Sequence, residues 1–295
     1  MISRLNTKKP SKGYKLKEVL ASTTAELEKN KTISNAQKEA ELILEHTLKI
    51  KNCDIVAYRD HTLGAQKLKS IKKIVTRRLL GTPLQYIFKK ATFCNNDLHI
   101  NKNVLIPRAE SEIIVNRASD YCNKKCLAPK KHLLLDIGTG SGAIAIAICK
   151  KTKKNINVLA SDISPQALNV ARKNIVTHEL LSRITIVRSN LLANIDKVPH
   201  IIVANLPYVK EKNARGLADP KLALVGGKNG YELILNLLEQ IKEKKYDKKT
   251  RVVFLEIGHN QARVIKNYAR TLFPKAKITS KNDLAGYNRL ITIEY

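Results

Sequence analysis

Acidic residues are scarce in this sequence: 25 Asp and Glu stand against 54 Lys and Arg, which leaves a formal charge of +29 over 295 residues. A surplus of this size attracts nucleic acid, ribosomes or acidic proteins without choosing among them. Lys, Asn and Ile are abundant along the whole chain, so a uniform compositional bias gives the same charge without any dedicated binding patch. Long apolar runs are also missing. The longest, Ala143 to Cys149, is far short of the roughly 20 residues a membrane span requires, and no membrane partner is expected. The basic start MISRLNTKKPSKGYK has no apolar stretch behind it, so the expectation is a cytoplasmic chain without a secretory signal. Five cysteines form no CxxC pair, which fits reduced thiols better than a disulfide framework. Cys122 and Cys126 have helical spacing, but no histidine pair lies near them to complete a metal site, and none is expected. Internal repeats and low-complexity segments are absent.

What is present suffices for a sizeable core, since 43% of the residues are hydrophobic. Leu16 to Leu27, Ala36 to Leu48 and Leu68 to Leu80 space apolar residues by three and four, as amphipathic helices do. Ser34 or Asn35 can cap the second, and Gly81-Thr82-Pro83 stops the third. These helices define an N-terminal domain over residues 1–87, with a basic tail. Residues 88–106 read as a β-hairpin linker turning at Asn95-Asn96-Asp97. From 107 to 295, and most clearly after His132, apolar strands alternate with helices: LLLDIG, VLASDIS, ITIVRS, IIVANLPY, RVVFLEIG and ITIEY. Such alternation argues for an α/β fold with a doubly wound, mostly parallel sheet.

Open sheets of this kind keep their ligands at the carboxyl ends of the strands. Three strand ends there carry suitable groups. The first runs into Asp136-Ile137-Gly138-Thr139-Gly140-Ser141-Gly142 and a helix. Its alternating glycines permit a tight turn and close backbone approach to a ligand, whereas a dinucleotide fingerprint spaces them G-x-G-x-x-G. The second ends at Asp162, an acceptor for both hydroxyls of a ribose, with Ser164 as N-cap and Pro165 at the first helical position. The third ends at Arg188-Ser189-Asn190-Leu191. The glycine loop resembles that of the class I S-adenosylmethionine-dependent methyltransferases. The resemblance implies a seven-stranded sheet, S-adenosyl-L-methionine as cofactor, the loop from Asp136 to Gly142 around its amino-acid part, and Asn190 and Leu191 beside adenine.

The fourth strand, β-branched Ile201-Ile202-Val203, delivers Asn205-Leu206-Pro207-Tyr208 to the same edge. An amide nitrogen is a poor nucleophile because its lone pair is delocalised. If the Asn205 side-chain oxygen and the Leu206 carbonyl each accept one N–H, they aim that nitrogen and favour its rehybridisation. Tyr208 can pack on the flat face of the acceptor. Glutamine, asparagine, adenine and cytosine all present a planar NH2 of this kind, and the four residues alone leave them open.

"NLPY" resembles the (N/D/S)-P-P-(Y/F) signature of methyltransferases acting on planar nitrogens. "RRLLGTPLQYI", "VLIPRAESE", "DPKLALVGGKNG", "LEIG" and "NDLAGYNR" follow in an order similar to that of the peptide-chain release factor glutamine N5-methyltransferases, over nearly the whole chain. That resemblance implies methyl transfer to the side-chain amide of the glutamine in the Gly-Gly-Gln motif of class 1 release factors. It also implies a catalytic and substrate-binding role for Asn205, Leu206, Pro207 and Tyr208, cofactor contact by Asn205, and a helical domain that helps engage the protein substrate. Arg108 and Glu110 of Pro107-Arg108-Ala109-Glu110-Ser111-Glu112 are candidates for substrate binding, or else for a salt-bridged helix start. Glu256 of LEIG reads as a structural partner. Leu206 stands where the family has proline, Asn190-Leu191 replaces an acidic-aromatic pair, and Ala109 and Ser111 replace proline and threonine. A glutamine methyltransferase of a ribosomal protein, an adenine N6-methyltransferase acting on RNA or DNA, and a non-catalytic ribosome-associated module are the alternatives. The charge makes an electrostatic association with the ribosome or RNA a further expectation.

Overall fold

A computed structural model of the chain describes residues 13–126, 131–152 and 156–295. The chain forms two compact units, Met1–Phe88 and Lys89–Tyr295. Most of the expected basic tail, residues 1–12, lies outside the described residues.

The first unit is helical. A short antiparallel pair, β1 (Tyr14–Lys15) with β2 (Thr62–Leu63), brackets α1 (Leu16–Glu28), α2 (Ala36–Leu48) and α3 (Asn52–Ala57), and is followed by α4 (Ala65–Leu79) and α5 (Leu84–Phe88). The three-four spacing puts Leu16, Val19 and Leu27 of α1, Ala40, Ile43 and Leu44 of α2, and Ile71 and Val75 of α4 into one core. Asn35 is the cap of α2, its side chain accepting the Lys38 N–H at 2.9 Å. Helix α4 starts three residues before Leu68, because exposed Ala65, Gln66 and Lys67 give no apolar signal.

The second unit opens with a hairpin, β3 (Lys90–Phe93) and β4 (Asn96–His99), then α6 (Glu112–Lys125). Its turn residues are Cys94 and Asn95, both at positive φ (47° and 60°), as a two-residue hairpin of mirror-image type requires. Of the expected Asn95-Asn96-Asp97, therefore, only Asn95 lies in the turn, with Asn96 and Asp97 inside the second strand. Next come β5 (His132–Ile137), α7 (Ala143–Lys151), β6 (Ile156–Asp162), α8 (Pro165–Thr177), β7 (Ile184–Arg188), β8 (Ile201–Ala204), α9 (Lys221–Leu224), α10 (Glu232–Glu243), β9 (Val252–Glu256), α11 (Ala262–Leu272), β10 (Lys277–Asn282) and β11 (Asn288–Glu294).

The sheet is seven-stranded, in the order β10-β11-β9-β8-β5-β6-β7. Pairing is parallel from β7 to β9, and β11 runs antiparallel to both its neighbours. Strands β8 and β9 are buried along their whole length, as central parallel strands covered on both faces must be, which explains their unbroken apolar runs. Edge strand β10, KITSKN, is half exposed and rich in lysine and polar residues, so its pattern gives little warning of a strand. The chain winds outward from β5 through β6 and β7 and returns to β8 on the other side of β5. The topological switch point thus lies between β5 and β8, at whose carboxyl ends a cleft opens.

Candidate active site

Strand β5 hands over to a loop in which Gly138, Gly140 and Gly142 all have positive φ (71°, 56° and 80°). Side chains disfavour that region, and a Cβ on Gly138 would also stand 3.3 Å from Leu206 Cδ2. The turn is closed by Gly142 N–H donating to the Thr139 carbonyl at 2.8 Å and Thr139 N–H to the Ser161 carbonyl at 2.9 Å. Asp136 lies beneath the loop. Its carboxylate accepts the Thr139 hydroxyl at 2.7 Å, and burial pushes its pKa up to about 7 against the pull of that bond. Asn174 of α8, wholly buried, donates to the Ser141 carbonyl at 2.8 Å and to the His99 carbonyl at 2.9 Å, tying loop and hairpin together.

At the end of β6, Asp162 accepts the Gly140 N–H and the Ser164 N–H, one on each oxygen and both at 2.9 Å. Both oxygens are oriented and both keep a lone pair for a further donor. Burial raises its pKa. Beyond β7, Leu191 is buried with φ at 50°, its carbonyl accepting the Ser189 hydroxyl at 2.9 Å. One cleft is lined by Gly138, Thr139, Gly140, Ser141, Asp162, Asn190, Leu191, Asn205, Leu206 and Pro207. The expected site residues Asp136, Gly142, Tyr208, Arg108 and Glu110 do not line it. Phe93 of the hairpin does, and nothing in its local sequence announced that.

On the other side of the cleft, Asn205 Nδ2 donates to the Ser111 hydroxyl at 3.0 Å, across 94 positions of sequence. The Tyr208 hydroxyl donates to Glu256 Oε1 at 3.2 Å. Glu256 is 1% exposed. Burial pushes its carboxyl up to about 7, with the Ser111 and Tyr208 hydroxyls pulling the other way. Burial and the neighbouring Glu256 raise the Tyr208 phenol.

The tetrapeptide is clamped from behind. Gln261 Nε2 donates to the Tyr208 carbonyl at 2.9 Å and the Gly230 carbonyl at 3.0 Å, while its Oε1 accepts the Gly258 N–H at 2.8 Å. Val209 exchanges backbone bonds with Leu224 and Gly226. A Cβ on Gly226 would lie 2.2 Å from the Pro207 carbonyl oxygen, and one on Gly230 2.4 Å from that of Tyr208, so the glycines of LVGGKNG allow this contact. Arg108 pairs with Asp219, whose other oxygen accepts the Ile106 N–H at 3.2 Å. This is the ion-paired arrangement weighed for Arg108, with a distant partner in place of a helix-start acid. Glu110 is exposed.

Two families match the chain: the PrmC N-terminal domain over residues 18–88 and the methyltransferase small domain over residues 112–222. A release factor glutamine methyltransferase of Bacillus cereus is 29% identical over 94% of this chain and 98% of its own length. One of Thermodesulfovibrio yellowstonii is 30% identical over 87% of this chain and 92% of its own. Among solved structures, the hMettl16 catalytic domain in complex with a MAT2A 3'UTR hairpin aligns with a TM-score of 0.56, covering 75% of this chain and 81% of that one; at 16% identity the likeness is one of fold. With the glycine loop, the clamped tetrapeptide and near full-length similarity in agreement, the chain belongs to the release factor glutamine methyltransferase family.

Proposed function

We propose that this protein transfers a methyl group from S-adenosylmethionine to the side-chain amide nitrogen of the glutamine in the Gly-Gly-Gln motif of class 1 release factors, in the cytoplasm. The observation that carries this reading is the tether on Asn205. Its Nδ2 is committed to Ser111, so its Oδ1 is the end left to accept a hydrogen bond, on a segment that lines the same cleft as the glycine loop.

The cleft fits an S-adenosyl group. Its left-handed glycines keep Cβ atoms out of the turn, and both Asp162 oxygens retain acceptor capacity at the edge of β6. Asp162 would take the ribose hydroxyls, the amides of Gly138 to Gly142 the amino-acid part, and Asn190 and Leu191, with exposed Ile163 nearby, the flat base. Asp136 would act at one remove, holding Thr139 and thereby the loop. When bound, the cofactor supplies an electrophilic methyl group on a sulfonium.

The chain's own residues then have to make an unreactive amide attack. The Asn205 Oδ1 and the Leu206 carbonyl each accept one N–H of the glutamine amide, which aims the nitrogen's lone pair and stabilises the positive charge developing on it. Tyr208, tied by its hydroxyl to Glu256 and by its carbonyl to Gln261, holds the far end of the tetrapeptide. Arg108 braces the rim through Asp219, and exposed Glu110 offers the incoming chain a carboxylate. The proton leaves the methylated nitrogen for solvent after transfer, so no dedicated base is required.

The helical first unit would help engage the release factor, and the charge of +29 would hasten encounter with acidic partners, ribosome and RNA included. Raising salt should then slow association while sparing single-turnover transfer in the preformed complex; association that ignores salt would contradict the electrostatic part. The reading as a whole is tested by offering labelled S-adenosylmethionine with purified release factor, ribosomal protein and RNA in parallel. Label is expected in the release factor alone. Label confined to either of the others, or to none, would overturn it.

A further inference from the structure

A side-chain amide has a donor end and an acceptor end, and only the acceptor end of Asn205 can receive an N–H from the glutamine. Which end faces the cleft is therefore decisive. Ser111 touches the other end: its hydroxyl oxygen lies 3.0 Å from Asn205 Nδ2. In this contact the hydroxyl oxygen accepts, so the amide presents its NH2 to Ser111 and turns its Oδ1 away from it.

A reversed amide would set its carbonyl oxygen against the Ser111 oxygen and would forfeit this bond unless the hydroxyl turned to donate. No hydrogen bond to Asn205 Oδ1 forms among the described residues, which leaves it for the substrate.

The segment carrying Ser111 is itself immobilised. Ser111 is 3% exposed, its N–H donates to the Arg108 carbonyl at 3.1 Å, and Arg108 is paired with Asp219.

We infer that Ser111 is a positioning residue of the methyl transfer: its hydroxyl oxygen accepts from Asn205 Nδ2 and holds Asn205 with Oδ1 towards the acceptor amide. This rests on the glutamine-methylation reading above. It gives the PRAESE segment a task at the reacting centre that Arg108 and Glu110, the residues singled out from its sequence, do not perform directly.

The test compares Ser111→Ala, Ser111→Thr and Ser111→Val in the full-length protein, with release factor as substrate and calorimetric titration of S-adenosylmethionine as a control for folding. Ala and Val are expected to lower kcat about tenfold or more, the scale of one buried hydrogen bond lost from an oriented group. KM for the release factor and cofactor affinity should stay within about twofold. Thr keeps the hydroxyl and should restore kcat, although Val has nearly its shape. If Ala keeps the full kcat, or Thr and Val behave alike, the positioning role is wrong. Wild-type protein that binds cofactor but leaves the glutamine unmethylated would instead overturn the underlying reading, and this role with it.

Discussion

The two sides of the cleft are built from different kinds of contact. On the cofactor side, nearly every stabilising bond is local or spans one strand-helix unit: Thr139 to Asp136, Gly140 to Asp162, Ser164 to Asp162, Gly142 to Thr139. On the acceptor side, Asn205 answers to Ser111, Tyr208 to Glu256 and Gln261, and Pro207 to Gly226, across separations of up to 94 residues for the side-chain bonds. A loop of the first kind is shaped by its own short sequence. One of the second kind keeps its geometry only while several distant segments hold theirs, so a distant substitution should disturb catalysis before it disturbs cofactor binding.

The largest effect should come from the acceptor side itself. Asn205→Ala is expected to retain its fold and to lose about 100-fold or more in kcat, the usual cost of removing one oriented polar group at a reacting centre, with kcat/KM falling as well. Full single-turnover activity in this variant would remove the proposed mechanism. Gly226→Ala tests the distant support. Its Cβ would lie 2.2 Å from a backbone oxygen, so the tetrapeptide must shift, and overpacking of this kind costs about 1–3 kcal/mol. Turnover should fall sharply while S-adenosylmethionine affinity changes little. An equal loss of both would erase the distinction between the two sides.

Asp162→Ala probes the cofactor side alone. Charge-assisted hydrogen bonds are worth about 1.5–3 kcal/mol, so cofactor affinity should weaken about 10- to 100-fold, with kcat at saturation largely kept. Unchanged affinity by titration would show that Asp162 does not hold the ribose.

How much of this was legible beforehand follows the same division. The glycine loop, Asp162, the Ser164 cap and the NLPY turn each announce themselves within a few residues, because backbone conformation, capping and strand termination are local chemistry. Ser111, Gln261, Asn174 and Phe93 matter through partners that only the folded sheet brings near, and a serine, a glutamine, an asparagine or a phenylalanine has no local pattern that reports such a partner. Glu256 was visible as a residue of LEIG but not as the buried partner of the Tyr208 hydroxyl. Strand β10 escaped for another reason: an exposed edge strand held by backbone pairing needs no apolar alternation. The hairpin was evident from its extended flanks, yet its turn falls on Cys94-Asn95 because the left-handed pair is fixed by strand register.

A smaller effect is expected from pH. Asp136 and Glu256 each sit near pKa 7 through burial, above their values of about 4 in an unfolded chain. A carboxyl whose folded pKa is raised binds more protons folded than unfolded, so stability of the cofactor-free protein should decline as pH rises from about 4 to about 7 and level off above that. Asp136→Asn and Glu256→Gln should each flatten part of this decline in thermal melts. A profile identical to wild type in both variants would contradict the assignment. Smallest of all should be Leu206→Pro, which restores the family's usual residue and leaves the accepting carbonyl in place; activity within a few-fold of wild type is expected, and inactivity would mean that this loop has been rebuilt around leucine.

The most direct measurement is the mass-spectrometric position of the methyl group on a release factor treated with this enzyme and S-adenosylmethionine. One methyl group on the side-chain amide of the Gly-Gly-Gln glutamine, lost when that glutamine is replaced, is the predicted result. Methylation elsewhere in the factor, or incorporation that survives replacement of that glutamine, would contradict the account.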